Sequence, residues 1–329
     1  MHFSDTNTDD EESDSTQRNE IAETEAHVEC DYNTHVSSPT ETRPAGAKAA
    51  SEKTDGGSAT LRVVPDGGIE FETIRLEYPE DGIVHLVLDR PEELNSVNDT
   101  LLDEFDEALD HVEADADARA LLVTGEGDQA FCGGADISFM GEGLEPFEAV
   151  AFSRKGQRVF GRLLESSMPV VAGVDGFCLG GGMELATCVD LCVASERSEF
   201  GQPEMNLGIL PAWGGTQRLR HVVGERRARE IILTAERYDA ETMQEYGFVN
   251  DVVDSEELLD RALEMAGKLA QGPPLAHEAT KNAMLAGRDD TDSGLRSESD
   301  AFGLLWTTQD TVTGLDAFQD RRQPEFEGK

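Results

Sequence analysis

Lysine is nearly missing from this chain of 329 residues, standing only at Lys48, Lys53, Lys155, Lys268, Lys281 and Lys329. Arginine supplies the rest of 27 cationic side chains, against 68 Asp and Glu, and the formal net charge is -41. A chain of that sign repels the phosphates of nucleic acids and anionic membranes, so neither is an expected partner. The acidic residues run through the helical segments as well as the N-terminal stretch. They read as a solvated surface suited to a high-salt, halophilic cytoplasm, where a Debye length of about 3 Å at molar salt screens self-repulsion. Long apolar runs are missing too; without a stretch of about 18 such residues no transmembrane helix is expected. Met1 to Glu12 is acidic where a signal peptide needs a basic and then an apolar stretch, and the expected location is cytoplasmic. Cysteine is sparse and odd in number: Cys30, Cys132, Cys178, Cys188 and Cys192. Reduced thiols fit that usage better than a disulfide framework. Cys188 and Cys192, at helical spacing, would share a helix face, but no Cys or His nearby completes a ligand set. Core packing is their expected role, and no metal site is expected.

Residues 1–68 are rich in Asp, Glu, Ser, Thr, Gly and Ala and show no hydrophobic period. Such a segment cannot bury enough surface to offset its ordering entropy, so a disordered acidic tail is expected. Order begins near Ile69. Phe71 to Glu77 and Ile83 to Leu88 read as a hairpin around Glu80-Asp81-Gly82. Asn98 to Thr100 can cap a helix carrying Leu101, Leu102, Phe105, Leu109 and Val112. Short buried strands are expected at Ala118 to Val123, Pro169 to Val174 and Asp190 to Ala194, with a helix from about Phe147 to Glu165. From Gly214 onward the pattern is almost wholly helical, broken at Phe248 to Val253. The expectation is an α/β fold with a core at 69–265 and a helical region at 266–329 acting as lid or trimerisation surface.

Two glutamates twenty positions apart carry the chemistry. Glu184 ends Leu179-Gly-Gly-Gly-Met-Glu184, and Glu204 ends Phe200-Gly-Gln-Pro-Glu204, followed by Pro211-Ala-Trp-Gly-Gly215. A carboxylate pair can hold one water and divide proton removal from proton delivery. Glycines beside it let backbone N–H groups approach a substrate oxygen, and two such donors make an oxyanion hole. A third glycine turn, Phe131-Cys-Gly-Gly-Ala-Asp-Ile137, could supply the second donor. A dinucleotide loop is the rival reading of Gly180 to Gly182. It lacks the G-x-G-x-x-G spacing, because Leu185 stands at the third position after Gly182, and it falls mid-chain. The combination points to addition or removal of water next to a carbonyl.

From about Glu70 to Gly328 the chain resembles the enoyl-CoA hydratase/isomerase (crotonase) superfamily. The resemblance rests on Leu88-Asp-Arg-Pro91 with Leu94-Asn95, Phe131 to Ile137, Gly176 to Asp190, Phe200 to Glu204, Gly208-Ile-Leu-Pro211 and Gly214-Gly-Thr-Gln-Arg-Leu219. Ala317-Phe318, Arg321-Arg322, Pro324 and Phe326 fit the closing helix. The resemblance implies a β-β-α spiral core with a helical C-terminal region, assembled as a homotrimer or dimer of trimers. It implies an acyl-CoA substrate whose thioester oxygen meets the N–H groups of Ala135 and Gly181, and a substrate-binding strip at Asp136, Ile137 and Ser138. A neighbouring C-terminal segment, around Phe302, would cover the CoA moiety. Glutamate at both acidic positions implies an enoyl-CoA hydratase of fatty-acid or branched-acid oxidation, with Glu184 activating water and Glu204 protonating C2. No cofactor is implied, since coenzyme A is part of the substrate. The alternatives are a Δ3-Δ2 enoyl-CoA isomerase, another CoA-thioester lyase, or a non-catalytic scaffold subunit. Ser138 stands where hydratases of the family often carry lysine, and Ala212-Trp213 replaces a Gly-Ala pair. The Ala212 N–H is then expected to help hold the water, and Trp213 either to reshape the acyl pocket or to pack in the core.

Overall fold

The computed structural model describes residues 70–138 and 145–329, and the tail expected at 1–68 lies outside the described residues. The chain enters by a hairpin, β1 (Ile74–Glu77) and β2 (Ile83–Leu88), with Ile74 opposite Leu88. Helix α1 (Asp99–Ala114) begins where the Asn98 side chain accepts from Leu101 N–H at 2.9 Å. Next come β3 (Ala120–Gly125), β4 (Ala130–Cys132) and α2 (Pro146–Glu165), whose start is closed by reciprocal bonds between Glu145 and Glu148. The pattern continues as β5 (Val170–Val174), β6 (Phe177–Leu179), α3 (Gly181–Ala186), β7 (Leu191–Ser195) and β8 (Glu199–Gly201). A 3₁₀ turn at Pro203–Leu207 leads to α4 (Gly215–Val223), α5 (Glu225–Thr234), β9 (Arg237–Asp239), α6 (Ala240–Glu245) and β10 (Asp251–Val253). Four helices close the chain: α7 (Leu258–Ala270), α8 (Pro274–Ala286), α9 (Thr291–Leu305) and α10 (Gln309–Asp320).

The strands divide between two sheets. The larger runs β1-β2-β3-β5-β7-β10 and is parallel after the hairpin; the smaller runs β4-β6-β8-β9, parallel except for its last pair. The pairs β3–β4, β5–β6 and β7–β8 each step from the large sheet to the small one, and helical segments carry the chain back. That is the expected β-β-α spiral. Its consequence is that β4, β6 and β8 lie side by side, so their carboxyl ends present three consecutive turns to one place.

Alternation along the large sheet sorts the core. Leu122, Val171 and Val193 face α7 through Leu258, Ala262 and Ala266, whereas Leu121, Val123, Val170 and Ala172 join the cluster containing Phe105, Phe131 and Phe160. The boundary expected between residues 265 and 266 thus falls inside α7, a helix that packs on the sheet. Helix α8 is pinned by Lys281, whose ammonium bonds Asp190 Oδ2 at 2.6 Å, Met168 O at 2.9 Å and Leu163 O at 3.2 Å. Three expectations need correction. The helical run after Gly214 also contains β9, an Arg-Tyr-Asp strand with no apolar signature. Strands β4, β6 and β8, three residues each, were too short to show a period. Cys192 lies on β7, within the strand expected at 190–194, so it shares no helix face with Cys188; both thiols are buried, as core packing requires.

Candidate active site

The three parallel strands of the small sheet, β4, β6 and β8, each end in one part of the site. Beyond β4 the chain is stitched to the loop before α1: Gly133 N–H donates to Leu94 O, Val97 N–H to Gly134 O, and Asp136 N–H to Val97 O, at 2.8–2.9 Å. That bridge leaves the Ala135 N–H outside the pairing. The loop is itself braced by buried Asn95, whose Nδ2 donates to Ala130 O at 2.8 Å and Glu126 O at 3.0 Å. Gly134 has φ +107°, and a Cβ there would sit 2.9 Å from Leu179 O and 3.4 Å from Gly181 N. The Ala135 turn and the Gly181 turn therefore abut, and glycine is required where they meet.

Beyond β6 the three glycines serve different neighbours. Gly180, at φ +51°, is the N-cap of α3; a Cβ on Gly182 would lie 2.2 Å from Cys132 O, and one on Gly181 would lie 2.2 Å from the Trp213 ring. Gly181 opens the helix, so its N–H has no intrahelical acceptor. One turn on, Glu184 is 2% exposed. Its Oε1 accepts from Trp213 N–H and Gly215 N–H, both at 2.7 Å. Burial pushes this carboxyl up to about 7, against the downward pull of those N–H groups, Arg218 and Gly214 N–H.

Beyond β8, Glu204 lies in the 3₁₀ turn, and a Cβ on Gly180 would be 3.0 Å from its Oε1. Burial pushes Glu204 up to about 7 as well; its own N–H pulls down and the Glu184 charge pushes up. The two carboxylates thus feel each other. Fully buried Gln202, with its amide nitrogen turned inward, donates to both Glu204 oxygens at 3.0 and 3.1 Å.

The remaining expected residues divide. Asp136 is buried, meets Arg90 Nη2 at 3.1 Å and accepts from Ser138 N–H at 3.1 Å, so both side chains brace the turn; Ile137 is 56% exposed. Ala212 has an ordinary backbone, but the N–H groups on Glu184 come from Trp213 and Gly215. Its carbonyl is tied to α2 by Ser153 Oγ at 2.7 Å and Gln157 Nε2 at 2.8 Å. Of the two roles expected for Trp213 the structure shows core packing and not the shaping of an acyl pocket: the ring is 3% exposed, edge-on to Phe152 and Phe160 at 5.3 and 5.5 Å, and wedged between Gly156 and Gly181. Phe302 stands on α9, 64% exposed and edge-on to Trp306, outside the contacts of either carboxylate. Sequence reasoning assigned no part to Asn95, Gln202 or Arg218. All three lie inside the motifs that carried the resemblance, and only the folded contacts reveal their partners.

Chemically, the site offers two carboxyls that exchange protons near neutrality beside two N–H groups free to meet an oxygen. Comparisons with known proteins agree with that chemistry. A family profile described as enoyl-CoA hydratase/isomerase matches residues 79–329. A crotonyl-CoA hydratase of Syntrophomonas wolfei is 41% identical over 261 residues, covering 79% of this chain and 99% of the relative. A short-chain-enoyl-CoA hydratase of Clostridium acetobutylicum is 39% identical, covering 78% and 98%. The crystal structure of an enoyl-CoA hydratase from Bacillus anthracis superposes with a TM-score of 0.75 at 33% identity, covering 78% of this chain and all of that one.

Proposed function

The chain belongs to the enoyl-CoA hydratase/isomerase family, and from that premise we propose that it adds water across the trans-2 double bond of an enoyl-CoA, giving a 3-hydroxyacyl-CoA. The observation that carries this reading is the pairing of a buried and a half-buried carboxyl, both pushed up to about 7, of which the buried one is gripped by two N–H groups. Glu184, whose anion is favoured by Arg218 and the N–H groups of Trp213, Gly214 and Gly215, is ionised and takes a proton from water as the water oxygen bonds to C3. The C2–C3 π electrons move onto the thioester, and the Ala135 and Gly181 N–H groups stabilise the enolate oxygen. Glu204, carrying the pair's proton, delivers it to C2. Water is thereby added with charge conserved, and Glu184 returns its proton to Glu204 or solvent.

The thioester makes C3 electrophilic unaided, so coenzyme A, as part of the substrate, is the sole cofactor chemistry invoked. A short acyl chain is favoured by the crotonyl and short-chain names of the two relatives. Exposed Phe302, Trp306 and Phe318 support assembly into a trimer or dimer of trimers, with Phe302 of one subunit covering the CoA of another. The acidic composition supports work in high salt, and the four buried free thiols among the described residues support a reducing cytoplasm. Among the described residues no helix is long and apolar enough to cross a membrane. Purified protein in molar salt should consume the enoyl absorbance of crotonyl-CoA. Exchange of the C2 proton without hydration would instead indicate the Δ3-Δ2 isomerase, and inertness toward enoyl-CoAs from C4 to C16 a scaffold.

A further inference from the structure

A buried carboxylate that must be ionised needs its donors held in place. Those donors belong to a loop with glycines at 214 and 215, the first at φ +121°, where a peptide plane can rotate easily. One cation grips that loop from behind. Arg218, on α4, donates through Nη1 to Trp213 O at 3.1 Å and to Cys188 Sγ at 3.1 Å, and through Nη2 to Gln157 O at 2.9 Å. In a trans peptide the carbonyl and the following N–H point opposite ways. A guanidinium holding Trp213 O on one side therefore keeps Gly214 N–H on the other, where it favours ionised Glu184. The Cys188 thiol extends the tie, donating to Glu184 O at 3.3 Å. The guanidinium also occupies space that side chains would fill, since a Cβ on Gly161 or Gly214 would come within 2.9 Å of it.

We propose that Arg218 is the positioning residue of Glu184. It clamps α2, the end of α3 and the 211–215 loop into one frame that keeps backbone donors on the carboxylate, and its charge favours the ionised base. The inference rests on Glu184 being the base of the hydration proposed above. The charged and titratable groups acting on Glu184 or its neighbours are Arg218 from α4, Glu204 from the 3₁₀ turn, Cys188 just beyond α3, and Arg288 through Cys188.

Arg218→Met removes fork and charge, and Arg218→Lys keeps charge alone. Two readouts are made on the full chain in high salt: the ¹³C titration of the Glu184 carboxyl, assigned by its loss in Glu184→Gln, and the pH profiles of kcat and KM on crotonyl-CoA. In Arg218→Met the Glu184 midpoint should rise by about one unit, and kcat near pH 7 should fall at least tenfold with KM nearly unchanged. Arg218→Lys should return the midpoint only part of the way while leaving kcat low. An unchanged midpoint and acid limb in Arg218→Met, accompanied only by a lower melting temperature, would overturn the proposal. If Arg218→Met does not fold, Arg218→Lys decides: kcat equal to wild type rejects the clamp. If wild type fails to hydrate any enoyl-CoA, the hydratase reading falls, while the titration still judges whether Arg218 sets Glu184.

Discussion

Glu184 and Glu204, both at about 7, share roughly one proton near neutrality, and their titrations are coupled. In the proposed mechanism it sits on Glu204, because Arg218 and the N–H groups of Trp213, Gly214 and Gly215 all favour the Glu184 anion. The rate should then be bell-shaped in pH. Its acid limb is protonation of Glu184, its alkaline limb deprotonation of Glu204, and kcat/KM on crotonyl-CoA should peak near neutral pH. A profile still climbing at about pH 9 would remove Glu204 as the acid. Glu204→Gln should cost about 10²–10⁴ in kcat; hydration at the wild-type rate would dismiss the mechanism. Stability moves the other way. A carboxyl whose folded pKa is raised from 4.5 to about 7 costs nothing below its unfolded value and loses stability as pH rises through the folded one. Thermal melts should thus show Glu204→Gln unchanged near pH 4 and more stable above about pH 8, by on the order of 1–2 kcal/mol after allowing for partial exposure. A lower melting point at the higher pH would mean the burial cost is being offset by contacts that only the carboxylate makes.

The three turns that meet at the carboxyl ends of β4, β6 and β8 make the site an arrangement of elements more than of side chains. Gly182 tests this, because it bears neither proposed donor nor acid. A Cβ there would press to 2.2 Å from Cys132 O, a backbone atom of β4 that cannot rotate aside. Gly182→Ala should push α3 off β4, displace Gly181 N–H, and lose about 10²–10³ in kcat, as removal of one oxyanion donor does. Kinetics with a melting curve would check it; near-wild-type kcat would mean that α3 shifts without moving the donor. The same geometry explains what the sequence revealed. The large-sheet strands and long helices were legible because they are continuous apolar runs or carry a 3.6-residue period. Both glutamates stood out because glycine turns accompany them. Strands of three residues carry no period, and β9 is Arg-Tyr-Asp, so the small sheet that aligns the turns emerged only from pairing. Trp213 could be read as shaping a pocket or as core, because bulk alone does not say what surrounds it; that the glycines at 156 and 181 make room for its ring is a fact of tertiary packing.

For the whole molecule, the few cations are shared among many anions. Lys155 meets Asp99 and Asp103, each at 2.7 Å, while Arg162 meets Asp106, Asp110 and Glu113 at 2.6–2.9 Å, all along one face of α1. Salt weakens such surface pairs, which are worth about 0–1 kcal/mol each. It also weakens repulsion among the surplus anions, and with a net charge of -41 that repulsion outweighs the pairs. The melting temperature should therefore rise with KCl, and activity lost on desalting should return with it. The shape of the rise tells which physics acts. Screening between charges more than about 8 Å apart is mostly complete near physiological ionic strength. A melting temperature that levels off there would assign stability to relief of repulsion alone. A continued climb into molar KCl would show a further contribution from salt-strengthened burial of apolar surface, including Phe302, Trp306 and Phe318 if subunits cover them. Light scattering across the same titration separates the cases, since subunit association would raise the mass together with the melting point. Full stability and activity in dilute buffer would show that the acidic surface is neither a burden nor an adaptation to salt.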